Sequence, residues 1–381
     1  MTRRLCLMVT SSITATTFLD GYLQFLQSDG WDVTLVCSDG EGVAEMAAAA
    51  GVAFEPLAMP RDPAPLDDLG AVFAAVRLFR RIRPDVLVYA TPKASLIGAL
   101  AGWFTRIPRR IYELWGLRLE TASGFSRRVF ALLERLTARL SSMVIANSNS
   151  LAERASQLGV NGGKDVVVLG SGSSHGVDAE RFSREAELPE IDPELSRALR
   201  ASTAPVVGFV GRLNPDKGID VLFDALAICA SRGTEVQLLI VGDSEGVPVT
   251  ELARRLDGII PVHLAGFVRD PRALLAVMDV LVLPSRREGF PNVVLEAAAM
   301  EVPAITSDAT GCVDAVIDGE TGLIVQTGNA AALADALART VRDDEKRAAL
   351  GYAARARAVD EFAPRHVWAL HSRAWRGRRG A

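Results

Sequence analysis

The chain has 381 residues, of which 49% are apolar and 23% are charged, and its formal net charge at pH 7 is −4. This composition is typical of a globular protein and excludes the disordered and fibrous classes. The slightly acidic balance argues against a nucleic-acid partner, and at roughly 100 to 200 residues per domain the length predicts two domains.

From the amino terminus, short strand-like apolar runs alternate with amphipathic helical segments. Strands are predicted at 5–9, 32–37 and 86–89, and helices at 18–28, 42–50 and 94–104. Such alternation predicts a parallel sheet covered by helices. The periodicity stops at 183–200, where charge and proline replace the apolar residues. We interpret that segment as a linker that follows an N-terminal domain over residues 1–182.

A second alternating series predicts another doubly wound domain over residues 201–361. Its strands are expected at 206–210, 236–241, 262–265, 280–284 and 304–307, and its helices at 218–230, 250–256, 271–277 and 292–299. The tail, 362–381, has an apolar helical side, and we expect a helix that crosses back to the first domain. Open parallel sheets bind ligands beyond the carboxyl ends of their strands. Two Rossmann-like domains facing each other would therefore enclose a nucleotide-linked substrate in a cleft.

The four cysteines are widely separated and lie within or beside apolar runs, so we expect them to be buried core residues. Without a Cys-x-x-Cys pair or a secretory segment, the sequence predicts a reducing, cytosolic compartment. The longest apolar stretches, such as 95–104, fall short of the roughly 18 to 20 residues of a membrane span. Any membrane contact is therefore expected to be peripheral.

The first candidate motif is the predicted strand 206–210 with the loop that follows it. Gly211 allows close backbone approach, Arg212 and Lys217 carry positive charge, and a helix begins near Gly218. Glycine, cations and helix N-terminal amides together favour a diphosphate. The alternative is a structural loop that carries two solvated cations.

The second candidate motif follows the predicted strand 280–284. Glu288 lies in a loop where it could accept hydrogen bonds from sugar hydroxyls, beside the main-chain amides of 290–292. Asn292 stands where it could cap the next helix, and Glu296 on that helix could accept both hydroxyls of a ribose. The alternative is a pair of glutamates on a solvated helix.

These motifs together carry a resemblance to a known family. The segments involved are Gly211-Arg212-Leu213 with Lys217-Gly218, Glu288 to Glu296, and Asp318 to Gly322. They resemble the retaining family 4 glycosyltransferases of the GT-B fold. In the first domain, Thr91 to Lys93, Trp115 to Gly124 and Gly172 to Asp178 look like the branch that builds capsular, exopolysaccharide and lipid-linked glycans. The resemblance covers almost the whole chain.

The resemblance implies transfer of a hexose or N-acetylhexosamine, with retention, from a nucleotide diphosphate sugar, expected to be a UDP-sugar. The implied acceptor is a glycan, expected to be a saccharide linked to a polyprenyl diphosphate. The implied catalytic residues are Arg212, Lys217 and Glu288. These three and Gly211, Phe267, Val268, Phe290, Pro291, Asn292 and Glu296 would bind the donor, and Lys93, Trp115, Arg118 and Glu120 would bind the acceptor. Neither a metal nor another cofactor is implied.

The sequence departs from the family pattern at two places. Many members carry a histidine near the donor's anomeric region, where this chain has Leu114-Trp115-Gly116. Trp115 could stack on a sugar or pack in the core. The first βα loop, Thr10 to Thr14, lacks the paired glycines of many relatives, and its hydroxyls could substitute for them. His175 is expected on a loop near the hinge, outside the catalytic group.

Positive charge is concentrated between Arg77 and Arg139, where 13 Lys and Arg residues face only four acids. Within it, 125–140 has a helical stripe of Phe130, Leu133, Leu136 and Leu140 beside Arg127, Arg128, Arg135 and Arg139. One interpretation is an ordinary helix whose apolar side packs inward. The other is a surface that binds anionic lipid headgroups and holds the enzyme on the inner face of the cytoplasmic membrane.

Two other functions are weighed against the transferase. A sugar-nucleotide 2-epimerase of similar fold would also bind a diphosphate but would act without an acceptor. A nicotinamide oxidoreductase is disfavoured because no Gly-x-Gly-x-x-Gly follows the first strand.

Overall fold

The computed structural model describes residues 3–60 and 64–377, and the chain divides into two compact units. The first unit extends to His175 and includes the C-terminal helix, and the second extends from Gly176 to Ala363. The chain therefore passes from one unit to the other twice.

The first unit is built on a seven-stranded parallel sheet of order β3-β2-β1-β4-β5-β6-β7. Its strands are β1 (Arg3–Met8), β2 (Trp31–Cys37), β3 (Ala53–Pro56), β4 (Val86–Ala90), β5 (Arg109–Leu114), β6 (Met143–Ala146) and β7 (Val166–Val168). Its helices are α1 (Ser12–Phe18), α2 (Tyr22–Ser28), α3 (Val43–Ala49), α4 (Pro65–Ile82), α5 (Pro92–Phe104), α6 (Gly124–Leu140), α7 (Asn149–Gln157) and, at the end of the chain, α16 (Pro364–Arg376).

Helices cover both faces of this sheet, as the alternation of strands and helices predicts. Side chains of β1 alternate between two cores, with Leu5 and Leu7 on one face and Cys6 and Met8 on the other. Helices α1, α2, α3 and α16 contribute to the first core, and α4 to α7 contribute to the second. The unit is thus doubly wound.

The second unit contains a six-stranded parallel sheet of order β10-β9-β8-β11-β12-β13. Its strands are β8 (Val206–Val210), β9 (Gln237–Val241), β10 (Val262–Gly266), β11 (Val280–Leu283), β12 (Ala304–Ser307) and β13 (Gly322–Val325). Its helices are α8 (Pro193–Arg200), α9 (Ile219–Ser231), α10 (Val249–Arg254), α11 (Arg272–Ala276), α12 (Asn292–Ala299), α13 (Cys312–Ala315), α14 (Ala330–Arg342) and α15 (Asp344–Phe362). The prediction of two doubly wound parallel sheets is confirmed.

The segment 183–200 corrects the linker interpretation. It belongs to the second unit and contains α8, whose first turn is capped by the Asp192 carboxylate at 3.0 Å from the amides of Glu194 and Leu195. Leu199 is buried in the core of the unit, and Leu195 packs against that core. The spacing of these two leucines supplies one apolar helix side within an otherwise charged sequence.

Helix α16 is attached to the first sheet by a buried polar cluster. One carboxylate oxygen of Glu113, at the end of β5, accepts hydrogen bonds from His371 Nδ1 at 3.0 Å and Trp375 Nε1 at 2.9 Å. Burial by itself would lower the pKa of His371, but the charge and hydrogen bond of Glu113 outweigh it and raise that pKa. The residues Arg378 and Arg379, which the sequence places after this helix, lie outside the described residues.

All four cysteines are buried with free thiols, as predicted. Among the residues that the structure describes, no helix is both long and apolar enough to cross a bilayer.

Candidate functional site

In the second sheet, strands β8 and β11 lie side by side although β9 and β10 separate them in sequence. Open α/β sheets bind ligands beyond the carboxyl ends of the strands at such a switch point. The loop 211–218 follows β8 and the loop 284–291 follows β11. The structure therefore brings together the two motifs that the sequence singles out.

Glycines allow the loops at this edge to touch backbone to backbone. Gly218 has a φ of 67°, and a Cβ there would lie 2.1 Å from the carbonyl oxygen of Pro284. Gly242, after β9, has a φ of 138°, and its Cβ would lie 2.0 Å from the carbonyl oxygen of Gly211. Any larger residue would separate these loops, so the glycines hold the edge closed.

Three ion pairs join the loop after β8 and the first turn of α9 to the loop after β11. They are Lys217–Glu288 at 2.5 Å, Arg287–Asp216 at 2.5 Å and Arg286–Asp220 at 2.7 Å. Arg286 also donates to the carbonyl oxygen of Pro215 at 2.7 Å. Hydrogen bonds from Arg286 hold the pKa of the Asp220 carboxyl below its usual range. The loops are thus fixed to each other electrostatically as well as sterically.

Lys217 and Glu288 form the most enclosed of these pairs, with side chains only 19% and 14% exposed. The same oxygen of Glu288 also accepts a hydrogen bond from Ser285 Oγ at 2.8 Å. Two donors therefore hold this carboxylate in place, and the carboxylate in turn holds the lysine ammonium at the strand edge. The Lys217 ammonium fixed there can bind a phosphate, which would replace the Glu288 carboxylate as its partner.

Arg212 stands at the same edge but in a more open environment. Its side chain is 58% exposed and donates to a carboxylate oxygen of Glu245 at 3.0 Å. Glu245 belongs to the loop after β9, so Arg212 spans two adjacent loops. An exposed ion pair of this kind is worth little in stability, which leaves the guanidinium available for an anionic ligand.

Glu296 lies on the second turn of α12 and is partly buried. Burial raises the pKa of its carboxyl to about 7, although the positive charge of Arg181 acts in the opposite direction. Asp270, which is 3.7 Å from Arg181, raises that pKa further. Within the described residues the Glu296 carboxyl has no hydrogen-bond partner, so its oxygens can accept hydrogen bonds from the hydroxyl groups of a ligand.

The start of α12 corrects one prediction, because Asn292 does not cap the helix. Pro291 occupies the N-cap position with φ −79° and ψ 96°, and no side chain caps the helix there. Asn292 is already the first helical residue, and Phe290 is buried against Phe362 with ring centroids 5.4 Å apart. In the first turn of α12 the Val294 amide donates to the carbonyl oxygen of Pro291 at 3.0 Å.

Phe267 and Val268 follow β10 and point in different directions. Val268 packs against the core, whereas Phe267 is 70% exposed. The backbone beside them is fixed because the Gly242 amide donates to the carbonyl oxygen of Gly266 at 2.7 Å. The edge therefore presents an aromatic ring next to the loops that carry the cations.

In the first unit, Lys93 lies in the first turn of α5, just after β4. Its ammonium pairs with Asp68 of α4 at 2.8 Å, and the side chain is only 12% exposed. Thr10, in the first βα loop, bonds to the Thr91 hydroxyl at 2.7 Å and accepts from the Ala94 amide at 3.2 Å. The hydroxyls of the glycine-free loop therefore join the loop after β1 to the beginning of α5.

Trp115 follows β5 and belongs to an aromatic cluster. Its ring centroid lies 6.1 Å from that of Phe18 and 5.0 Å from that of His175. Its indole nitrogen is buried and has no hydrogen-bond partner among the described residues. Burial, helped by the nearby His371, lowers the pKa of His175 to about 3, so this imidazole is neutral at pH 7. Ser174 Oγ lies 2.7 Å from its Nδ1.

Arg118 and Glu120 lie on a short 3₁₀ turn after β5. The Arg118 guanidinium stands 5.7 Å from the ring centroid of Phe130, and Glu120 pairs with Arg154 at 3.2 Å. Because β4 and β5 are neighbours in the sheet, all four predicted acceptor residues follow the carboxyl ends of adjacent strands.

The sequence interpretation missed several residues that shape this site. These are Ser285, Asp216, Asp220, Arg286 and Arg287 around the paired loops, and Arg181 and Asp270 near Glu296. The adjacent arginines at 286 and 287 indicate a charged loop, but the sequence does not reveal which carboxylates pair with them. Within the described part of the chain, no cluster of three or more His, Cys, Asp or Glu residues could hold a metal ion.

Two family models match the chain. Residues 15–171 match a model described as a glycosyl transferase 4-like domain, and residues 204–343 match one described as glycosyl transferases group 1. The chain is 34% identical to the capsular polysaccharide biosynthesis glycosyltransferase CapM of Staphylococcus aureus, over 91% of this chain and 90% of that protein. It is 28% identical, over 72% of both chains, to the N,N'-diacetylbacillosaminyl-diphospho-undecaprenol alpha-1,3-N-acetylgalactosaminyltransferase of Campylobacter jejuni.

Among solved structures, Anabaena Alr3699/HepE in complex with UDP and glucose resembles the chain with a TM-score of 0.78 at 22% identity. The match covers 99% of this chain and all of that one. These comparisons give no support to the sugar-nucleotide epimerase alternative.

Proposed function

The chain belongs to the family 4 glycosyltransferases of the GT-B fold, and we propose that it moves a hexose or N-acetylhexosamine from a UDP-sugar to a lipid-linked saccharide. The configuration at the anomeric carbon of the transferred sugar would be retained. In this proposal the donor binds at the carboxyl edge of the second sheet, and the acceptor binds at the carboxyl edge of the first.

The observation that carries the proposal is the enclosed Lys217–Glu288 pair at the switch point of the second sheet. A donor diphosphate would draw the Lys217 ammonium to itself and leave the Glu288 carboxylate to accept hydroxyls of the hexose. Arg212 adds a second cation from the adjoining loop. Negative charge on the diphosphate grows as the sugar departs, so fixed cations stabilise the transition state more than the ground state.

The nucleoside would occupy the remaining groups of the same edge. Glu296 accepts the two ribose hydroxyls, and the exposed Phe267 with the main chain of 266–268 contacts the base. Uracil is supported by the solved relative that holds UDP and glucose. The positive charges of Arg212 and Lys217 offset the diphosphate charge, and the enzyme is proposed to work without a divalent metal.

The acceptor side rests on Lys93, Trp115, Arg118 and Glu120 in the first unit. The Lys93 ammonium would exchange the Asp68 carboxylate for the diphosphate of a polyprenyl carrier. A lipid-linked acceptor is supported by the Campylobacter relative, whose name specifies a diphospho-undecaprenol substrate. An enzyme acting on such an acceptor would be cytoplasmic and peripheral on the inner face of the membrane.

A ligand panel tests the donor. UDP-, GDP- and ADP-sugars are compared by thermal shift, since a ligand that binds only the native state raises the melting temperature. The expected result is a shift with UDP-sugars that Glu296→Gln removes and the control Glu251→Gln, on the exposed surface of α10, retains. No shift with any nucleotide sugar would contradict the proposal.

Transfer itself is measured with purified lipid-linked saccharide, with and without chelator. Nuclear magnetic resonance of the product reports whether the anomeric configuration is retained. Conversion of the donor into another sugar nucleotide without an acceptor would instead identify an epimerase. Activity that is lost in chelator and restored by magnesium would refute metal independence.

A further inference from the structure

Large apolar side chains are exposed on the outer side of α4. Leu66, Leu69 and Phe73 follow each other at spacings of three and four residues, which places them on one helix face. Leu66 is 86% exposed. The same face continues into the exposed Arg77 and Arg80. Helix α4 thus presents an apolar half followed by a basic half.

Helix α6 presents a similar exposed face. Phe125, Arg128, Leu132, Arg135 and Arg139 recur at spacings of three and four residues, and Phe125 is 81% exposed. Two residues of the apolar stripe that the sequence predicts for 125–140 do not lie on this exposed face, because Phe130 and Leu140 pack against the core. Inward packing therefore accounts for those two residues, while a different pair of apolar side chains faces outward.

The two exposed faces lie on the same side of the first unit. Helix α5 packs against both α4 and α6, and all three contribute to the core on one face of the sheet. We name the exposed residues of α4 and α6 the α4–α6 surface. Its seven arginines outnumber its helices' three acids, Asp67, Asp68 and Glu134.

Two of those acids contribute little exposed negative charge. Asp68 is paired with Lys93 at 2.8 Å. Glu134 is a buried residue of α6 and accepts a hydrogen bond from the Tyr112 hydroxyl at 2.5 Å. Burial raises the pKa of Glu134 to about 7, so it is only partly ionised at neutral pH. The α4–α6 surface is therefore positively charged as well as apolar.

We propose that the α4–α6 surface is the part of the protein that binds an anionic lipid bilayer. Leu66, Leu69, Phe73, Phe125 and Leu132 would enter the boundary between headgroups and acyl chains, while the arginines contact headgroup phosphates. The mixture of exposed aromatic and aliphatic side chains with arginine matches a bilayer interface better than a polar partner. This inference rests on the proposed function for its biological purpose.

The surface also has an orientation. Helices α4, α5 and α6 begin after the carboxyl ends of β3, β4 and β5, so Leu66, Lys93 and Phe125 share one edge of the unit. Insertion of the first and last of these places the Lys93 ammonium at headgroup depth. A polyprenyl diphosphate could then exchange with Asp68 while its lipid stays in the bilayer.

Insertion is tested directly with single labelled cysteines in the full chain. The four native cysteines are buried, so a cysteine placed at the surface reacts selectively. Leu69→Cys and Phe125→Cys are labelled with an environment-sensitive dye, and Tyr352→Cys, on the exposed side of α15, is the control. With vesicles containing phosphatidylglycerol, the first two labels should shift to shorter wavelength and the control should not. Unchanged emission at both positions would overturn the proposal.

Vesicle sedimentation separates the two contributions. Arg77→Gln, Arg127→Gln and Arg128→Gln together should weaken binding to phosphatidylglycerol vesicles about a hundredfold, at about fivefold per arginine. Leu69→Ser, Phe73→Ser and Phe125→Ser together should weaken binding about tenfold or more, through lost apolar burial. The matched controls are Arg197→Gln with Arg200→Gln and Arg254→Gln, and Tyr352→Ser with Val359→Ser, all at exposed positions of the second unit.

Equal vesicle binding by the test and control variants would refute the surface. So would a dimer in solution that the serine variant abolishes, because the apolar face would then bind a second copy of the chain. UDP binding is measured in parallel without vesicles. Loss of UDP binding with normal vesicle binding would contradict the donor proposal and leave the α4–α6 surface standing. Normal UDP binding without vesicle binding would contradict the α4–α6 surface alone.

Discussion

The Lys217 ammonium lies 2.5 Å from a carboxylate oxygen of Glu288, so the residue proposed to bind phosphate and the one proposed to bind sugar are paired with each other. The pair joins loops that follow different strands, and Ser285, in the same loop as Glu288, donates a second hydrogen bond to that carboxylate oxygen. Donor binding must therefore exchange one set of charged contacts for another, and disturbance of either residue affects both.

We predict that Lys217→Ala lowers kcat/KM for transfer roughly ten- to a hundredfold, because a charged hydrogen bond to the ligand is worth about 1.5 to 3 kcal/mol. Steady-state kinetics with varied donor measure the effect. The control Lys346→Ala, at an exposed position of α15, should behave as wild type. Wild-type kinetics in the Lys217 variant would show that the lysine does not contact the donor.

UDP affinity should depend on pH through Glu296. Its pKa of about 7 means that part of the carboxyl is protonated at neutral pH, whereas ribose hydroxyls donate to the ionised form. Affinity should therefore fall as the pH drops below about 7, with proton release on binding near neutrality. Calorimetry in two buffers of different ionisation enthalpy measures that proton. Glu296→Gln should remove the dependence, and a dependence that persists in this variant must come from another group.

Folding stability should also depend on the Glu296 carboxyl, but it should favour the protonated form, whereas UDP binding favours the ionised form. The folded pKa of about 7 is higher than the ordinary glutamate value, so burial of Glu296 is tolerated at low pH and becomes costly as the pH rises through 7. Glu296→Gln should thus stabilise the second unit at pH 8 by about 1 to 3 kcal/mol and change little near pH 4.5. Denaturant unfolding at both pH values measures the difference, and equal stabilisation at both would rule out the titration.

The exposed ring of Phe267 gives a prediction in which binding and stability separate. Phe267→Ala should weaken UDP binding by about 1 to 3 kcal/mol if the ring stacks on the base, and should leave the melting temperature nearly unchanged. Ile259→Ala, also at an exposed apolar position of the second unit, is the matched control. Calorimetric titration with UDP and with diphosphate separates the base from the phosphates, since only UDP binding should weaken.

The buried Glu113–His371 pair should govern the stability of the first unit. Glu113→Ala leaves polar groups of α16 without their acceptor, and loss of one partner of a buried pair costs about 3 to 5 kcal/mol. Because the pKa of folded His371 is raised, the stabilisation is complete below about pH 6.5 and is lost as the pH rises through the folded value. Melting curves between pH 6 and pH 9 measure this, and His371→Gln should flatten the pH dependence.

Strand positions and motif loops could be predicted from the sequence because each depends on local pattern. Strands β8 and β12 and helix α12 have the predicted bounds, and the two motif loops lie at the switch point where their strands end. Helix α4 was missed because its apolar residues face both the core, as Ala75 and Phe79 do, and the outside, as Leu66 and Phe73 do. Such a helix has no single apolar side to recognise.

Side-chain contacts between residues distant in the sequence could not be predicted. The pairs Arg286–Asp220 and Arg287–Asp216 join residues more than sixty positions apart, and only the strand order brings them together. The same holds for the aromatic cluster of Trp115, Phe18 and His175. A resemblance indicates candidate site residues, whereas the carboxylate that holds each cation depends on the folded arrangement.

The C-terminal helix fixes the order in which the protein is completed during synthesis. All seven strands of the first sheet leave the ribosome before α16, yet Trp375 and His371 of that helix fill the last buried positions beside Glu113. The second unit, which ends at Ala363, has been synthesised in full before α16 begins. The unit that is translated first is therefore the one whose core closes last, because the nascent chain carries an incomplete first unit until α16 has been synthesised.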